Sequence, residues 1–143
     1  MTRGSFHFNV PQPLAYACRL LRKATRQSAR VAVTGPVPLL GELDRALWTF
    51  EATEFLPHLL LRPGEAVPPR LRETPVLLVT AASDSPHHDV LVNLGAVPPE
   101  GFESFERLIE IVSTDEQDRS AARRRWKHYA ARGYPIETHE VEA

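Results

Sequence analysis

The sequence predicts an α/β domain of three layers: a mainly parallel sheet with helices on both faces. Three observations predict it. Short apolar runs of strand length alternate with longer segments of helical period. Two of those runs, Arg30 to Thr34 and Val76 to Ala81, are apolar nearly throughout, as strands covered on both faces must be. The chain has 143 residues, 43% hydrophobic and 24% charged, enough for one domain with its own core. Residues 1–143 read as that single domain, without internal repeats or low-complexity linkers.

Each element has a local reason. Ser5-Phe6-His7-Phe8-Asn9-Val10 alternates with a period of two and reads as the first strand. Pro11 ends it, and Pro13 can open a helix. Leu14, Ala17, Cys18, Leu21 and Ala24 then recur at helical spacing, while Arg19, Arg22, Lys23 and Arg26 face outward, to about Gln27. Arg30 to Thr34 is the second strand, and Gly35-Pro36 turns the chain. Leu39, Leu40, Leu43, Leu47 and Phe50 mark a second helix. From Glu51 to Pro75 the signal is poorer, with prolines at 57, 63, 68, 69 and 75; an extended connection with one short strand is expected. Val76 to Ala81 and Val90 to Leu94 are strands, separated by the turn-rich Ser83 to His88. Phe102 to Phe105 fits a single helical turn, and Leu108 to Val112 a strand. Ser113-x-x-Glu116 fits a capping box for a last helix that runs from about Thr114 to Arg132 and ends at Gly133. Tyr134 to Val141 alternates and reads as an edge strand.

Composition excludes several classes. A lone cysteine, Cys18, rules out an internal disulfide and a cysteine-based metal cluster, and its position on the apolar stripe makes it core. No apolar run reaches membrane-spanning length, and the N-terminus leads into a strand without a signal-like segment, so a cytoplasmic protein is expected, with no membrane partner. Phosphate-binding loops need a Gly-x4-Gly-Lys-Ser/Thr pattern. Here Gly35 to Gly41 is followed by Glu42, and Pro36 and Pro38 remove amide donors. There is no Gly-x-Ser-x-Gly elbow. Of six histidines, only His87-His88-Asp89 cluster, and neighbours on a strand entry point to opposite sides, so a solvated loop end is expected. His7, His128 and His139 stand apart in sequence. Glu42 and Asp44 read as solvated helix carboxylates. Neither metal nor cofactor is expected, and no catalytic set is visible.

The net charge is −1, yet cations are concentrated late in the chain. Arg119, Arg123, Arg124, Arg125, Lys127 and Arg132 follow one another with no acid between them. At about 100° per residue, Ala122, Trp126, Tyr129 and Ala130 share a stripe. Arg119, Arg123 and Lys127 border it, and Arg124, Arg125 and His128 lie on the opposite side. A row of cations beside a large aromatic suits an acidic peptide with an apolar side chain, because guanidinium groups bind carboxylates bidentately. The same surface suits single-stranded nucleic acid, and residue types alone do not separate the two. A second candidate surface is Trp48, about 100° off the stripe residue Leu47, together with Phe55 in its proline-punctuated loop.

These segments carry a resemblance. Leu43-Asp44-x-Ala46-Leu47-Trp48, then Phe55-x-Pro57-His58, then Asp89-Val90-Leu91-Val92-Asn93-Leu94, then Arg123-x-x-Trp126-Lys127-x-Tyr129 followed by Gly133-Tyr134, are similar in order and spacing to the chi subunit family of bacterial DNA polymerase III. The likeness covers about residues 5 to 138. It implies a fold similar to nucleotide-binding domains but without their phosphate loop, and no enzyme activity. It implies two protein partners and an indirect association with DNA. One partner is the psi subunit of the clamp loader, matched here to Phe55, Leu56, Pro57 and His58, and to Trp48. The other is the acidic C-terminal tail of single-stranded DNA-binding protein, matched to Val112, Arg119, Arg123, Trp126 and Lys127.

Overall fold

The chain starts by committing Phe6, Phe8 and Val10 to a sheet and then reverses at Pro11. In the computed structural model, which describes residues 2–50 and 55–141, strand β1 spans Arg3–Val10 and helix α1 spans Pro13–Arg26. There follow β2 (Val31–Thr34), α2 (Val37–Thr49), β3 (His58–Leu60), β4 (Val76–Val79), β5 (Val90–Asn93), β6 (Arg107–Ser113), α3 (Glu116–Ala131) and β7 (Ile136–Glu140). The expected helical turn forms at Phe102–Ser104. The start of the expected extended connection, residues 51–54, lies outside the described residues.

The seven strands run in the order β3-β4-β2-β5-β6-β1-β7, and every pairing is parallel. The sheet is thus wholly rather than mainly parallel, because β7 joins the edge alongside β1 in the same direction. Strand alternation sorts the side chains into two cores. On one face Ala17, Cys18 and Leu21 of α1 and Leu40, Leu43 and Leu47 of α2 pack on Val33, Val92, Ile109 and Ile111. On the other, Ala122 and Tyr129 of α3 pack on Phe6, Leu91, Leu108 and Val112, with Phe102 and Phe105 from the loop before β6.

The turns leaving β2 and β5 head in opposite directions, which is where parallel α/β sheets usually receive a nucleotide. Here the two turns touch. A Cβ on Gly35 would come within 3.2 Å of Leu94 Cβ, and Leu94 N donates to Thr34 O at 2.8 Å.

What seats α3 is a polar cluster in the second core. The α3-facing side of β6 carries Leu108, Glu110 and Val112, so a carboxylate enters the core between two apolar neighbours. Glu110 is 0% exposed and Arg125 of α3 is 1% exposed. Arg125 Nε donates to Glu110 Oε1 at 3.0 Å, and the Tyr129 hydroxyl donates to Oε2 at 2.6 Å. Asn93 Nδ2 on β5 reaches both oxygens at 3.1 and 3.0 Å. Arg125 also donates to Ala96 O at 3.2 Å, tying down the turn after β5. Burial pushes the Glu110 carboxyl above its ordinary range, against the pull of Arg125 and the hydrogen bonds from Tyr129 and Asn93.

Several expectations are corrected. Arg125 was expected on the outer side of the last helix; it points inward, and the buried stripe is Ala121, Ala122, Arg125 and Tyr129. Ala130 is exposed and Trp126 is 44% exposed, because Glu110 draws Arg125 to the centre of the contact and rotates both to the border or beyond. The helix cap is Asp115, not Ser113: Asp118 N donates to Asp115 Oδ2 at 3.1 Å. Ser113 still belongs to β6, and its amide donates to Asp118 Oδ2 at 2.7 Å. His87 is buried rather than solvated, because its chain folds back on Ser85, whose hydroxyl donates to His87 O at 2.7 Å; burial lowers its pKa. Asp44 is partly buried, with Oδ1 3.1 Å from His58 Nε2.

A buried ion pair broken on one side leaves an uncompensated charge, typically costing about 3–5 kcal/mol. Arg125→Met should lower stability by about that amount in a urea titration. Adding Glu110→Gln to that variant should recover part of the loss, since the orphaned charge is then removed.

Candidate peptide groove and aromatic patch

Because Arg125 seats α3 over β6, the outer strands β1 and β7 are left partly uncovered on that face. The result is a groove of about 190 Å³ with α3 as one wall. Phe6 and Phe8 come from alternate positions of β1, and Thr138 of β7 lies opposite Phe6 in the strand register. Val112 comes from the end of β6, and Ala122, Arg119, Arg123 and Trp126 from α3. Four of the five residues matched to tail binding, Val112, Arg119, Arg123 and Trp126, therefore line one depression. The fifth, Lys127, is exposed on α3 and continues the row of cations one turn beyond Arg123, but does not line the groove. Phe6, Phe8 and Thr138 were not foreseen as lining residues; the period-two alternation of the first strand held the signal that Phe6 and Phe8 share a face.

The floor is apolar and the rim cationic. Arg119 Nη1 is 3.9 Å from Glu116 Oε2, and Arg123 Nη1 is 3.4 Å from Glu116 Oε1. All three side chains are more than half exposed. Exposed pairs of this kind contribute about 0–1 kcal/mol, so an incoming carboxylate can displace Glu116 at little cost. Tyr129 lies one turn further along α3 but is buried, and its hydroxyl pKa is raised by burial and by Glu110. It holds the wall and does not face the groove.

The residues matched to psi gather elsewhere. Trp48 of α2 is 57% exposed and Phe55 is 68% exposed, with ring centroids 5.5 Å apart. The His58 ring lies 4.7 Å from Trp48. Its Nδ1 donates to Leu56 O at 2.7 Å, which fixes the ring against its own chain. Leu56 and Pro57, together with Phe55 itself, line an adjoining hollow of about 310 Å³ with Leu47, Phe50 and Arg22. Trp48 and Phe55 thus form an exposed aromatic patch beside β3, with the buried His58 ring beneath. β3 is one edge of the sheet, whereas the groove lies at the other edge, beside β7. Six strand spacings of about 4.8 Å separate the two edges by roughly 30 Å.

A parallel α/β scaffold that presents a cation-rimmed apolar groove at one edge and an exposed aromatic patch at the other has the features of an interaction domain. The chain belongs to the DNA polymerase III chi subunit family: the profile described as "DNA polymerase III chi subunit, HolC" matches residues 1–137. It is 33% identical over 147 aligned residues to the DNA polymerase III subunit chi of Pseudomonas aeruginosa, covering 99% of this chain and 98% of that one. It is 27% identical over 127 residues to the subunit chi of Haemophilus influenzae, covering 87% and 85% of the two chains. Membership makes it a protein of DNA replication. Among the described residues, no helix is long and apolar enough to cross a membrane.

The two aromatics of α3 should separate experimentally. Trp126→Ala should change stability by no more than about 1 kcal/mol, since the side chain is half exposed and sits at the groove rim. Tyr129→Phe should cost about 1.5–3 kcal/mol by removing a buried hydrogen bond to a charged group. Paired urea titrations check both.

Proposed function

We propose that this protein is a non-catalytic adaptor of the DNA polymerase III holoenzyme. It binds the psi subunit of the clamp loader through the Trp48–Phe55 patch. It binds the acidic C-terminal tail of single-stranded DNA-binding protein through the α3 groove, and so associates with DNA indirectly, at the cytoplasmic replisome. The observation that carries this reading is the convergence of Val112, Arg119, Arg123 and Trp126 on one apolar groove. The separation of the two surfaces, at opposite edges of the sheet, supports simultaneous binding.

The mechanism is physical. A terminal aromatic side chain of the tail enters between Val112 and Trp126, over Phe6 and Phe8. Arg119 and Arg123 exchange Glu116 for the tail's carboxylates, and Lys127 meets acidic residues further along it. Binding of this kind is modest and weakens with salt, because its charge pairs are exposed. Several tails on one oligomeric partner raise the effective concentration and compensate for the weakness of each contact. Direct capture of single-stranded nucleic acid by α3 has less support. Arg125 is buried against Glu110 and so is withdrawn from the row of surface cations that a phosphate backbone would need.

Fluorescence anisotropy with the tail peptide of single-stranded DNA-binding protein tests the reading. Arg123→Ala and Trp126→Ala should each weaken binding by at least about 1 kcal/mol, and raised salt should weaken it further. Phe55→Ala should leave this binding unchanged while reducing capture of psi. No binding by the unmodified chain at up to about 1 mM peptide, where even a −4 kcal/mol interaction would register, would remove the tail-site assignment.

A further inference from the structure

A second groove, of about 370 Å³, lies on the opposite face of β1 and β7, against α1. Its wall is a continuous row of planar and cationic groups. The Arg19 guanidinium carbon is 5.9 Å from the centre of the Tyr16 ring. The rings of Tyr16 and His7 are 5.6 Å apart, and those of His7 and His139 are 5.3 Å apart. Tyr16 and His7 are joined by a hydrogen bond between the hydroxyl and Nδ1. Lys23 stands one helical turn beyond Arg19. Two of the histidines that stand apart in sequence, His7 and His139, are therefore brought together here, because β7 lays His139 beside His7 in register.

The charges point to an anionic ligand. Helix α1 has four cations and no acid over its 14 residues, PLAYACRLLRKATR. Arg19 and Lys23 are exposed and have no ion-pair partner among the described residues. Glu137 of β7 is the acid in the groove wall. An acidic peptide would also want a socket for apolar side chains, and Leu20 is the aliphatic group in this wall. By contrast, cations one turn apart beside the exposed His139 ring and the partly exposed Tyr16 ring suit a strand of phosphates carrying flat bases. The groove also leads toward the first one, since Thr138 borders both.

We propose that the α1 groove is a track for single-stranded nucleic acid, with phosphates on Arg19 and Lys23 and bases against Tyr16 and His139. It adds a direct contact to the adaptor reading and does not depend on it. A strand held there passes round the β7 edge from the site proposed for the peptide.

The test is anisotropy of a labelled oligothymidylate with the full chain, run in parallel with the acidic tail peptide. The unmodified chain should bind the oligonucleotide at low salt, with affinity falling as salt rises. Arg19→Glu/Lys23→Glu should weaken it by tenfold or more. It should also reduce the slope of log affinity against log salt by about 1.4, two phosphates at about 0.7 each. His139→Ala should weaken it a few-fold, and Trp126→Ala should leave it intact while weakening peptide binding. Far-UV circular dichroism should be unchanged in every variant, as these side chains are exposed. The proposal is overturned if the unmodified chain does not bind at low salt, or if the double variant binds with unchanged affinity and slope. It is also overturned if Trp126→Ala removes oligonucleotide binding, which would locate it on α3, or if the α1 substitutions weaken the peptide alone.

Discussion

The ion pair between Glu110 and Arg125 is the constraint on which the rest of this molecule depends. A carboxylate in the middle of a buried strand is unstable alone, because burial favours its neutral form and strips its hydration. It can remain only if donors surround it. Arg125, Tyr129 and Asn93 supply them from α3 and β5. An apolar contact would let the helix slide or rotate at small cost. A paired charge with two directional partners on the same helix does not. Position and rotation of α3 are therefore set together.

The candidate site follows from that docking. Arg125 at the centre of the contact leaves Trp126 at its border, half exposed over the uncovered outer strands. Arg123 and Arg119 lie one and two turns earlier on the same side. The groove is thus a residue of incomplete coverage: one helix is too narrow to cover β6, β1 and β7. The exposed Trp48–Phe55 patch arises in a similar way at the far edge, where α2 ends beside the short strand β3. An adaptor needs surfaces that do not compete, and a seven-stranded sheet with both edges in use separates them by its own width.

Most of the architecture was legible because the apolar pattern is strong. Val76 to Val79 and Val90 to Asn93 have no polar residue to mislead until their ends, and Pro13 and Gly133 mark helix limits by backbone chemistry alone. The errors concern polar residues that only tertiary context can place. Glu110 looks like an outward residue of a strand, and Arg125 like one more cation of a basic helix; each is buried because of the other, and neither signals this alone. Ser113 and Asp115 are both good cap residues, and the end of β6 decided between them. The tail-site residues were legible by resemblance and by helical spacing. The floor beneath them was not, because Phe6, Phe8 and Thr138 come from strands far away in sequence whose pairing the chain does not announce.

The central claim is that an acidic, aromatic-ended peptide enters the groove between Val112 and Trp126. The chain has two tryptophans, one in each candidate surface, and their indole N–H groups are separate reporters. A titration of the isotope-labelled protein with that peptide, followed by two-dimensional nitrogen–proton NMR, tests the claim most directly. The account predicts that the Trp126 indole signal shifts together with the amides of Phe8, Val112 and Thr138, while the Trp48 indole stays in place. A shift of Trp48 with Trp126 unmoved would contradict it.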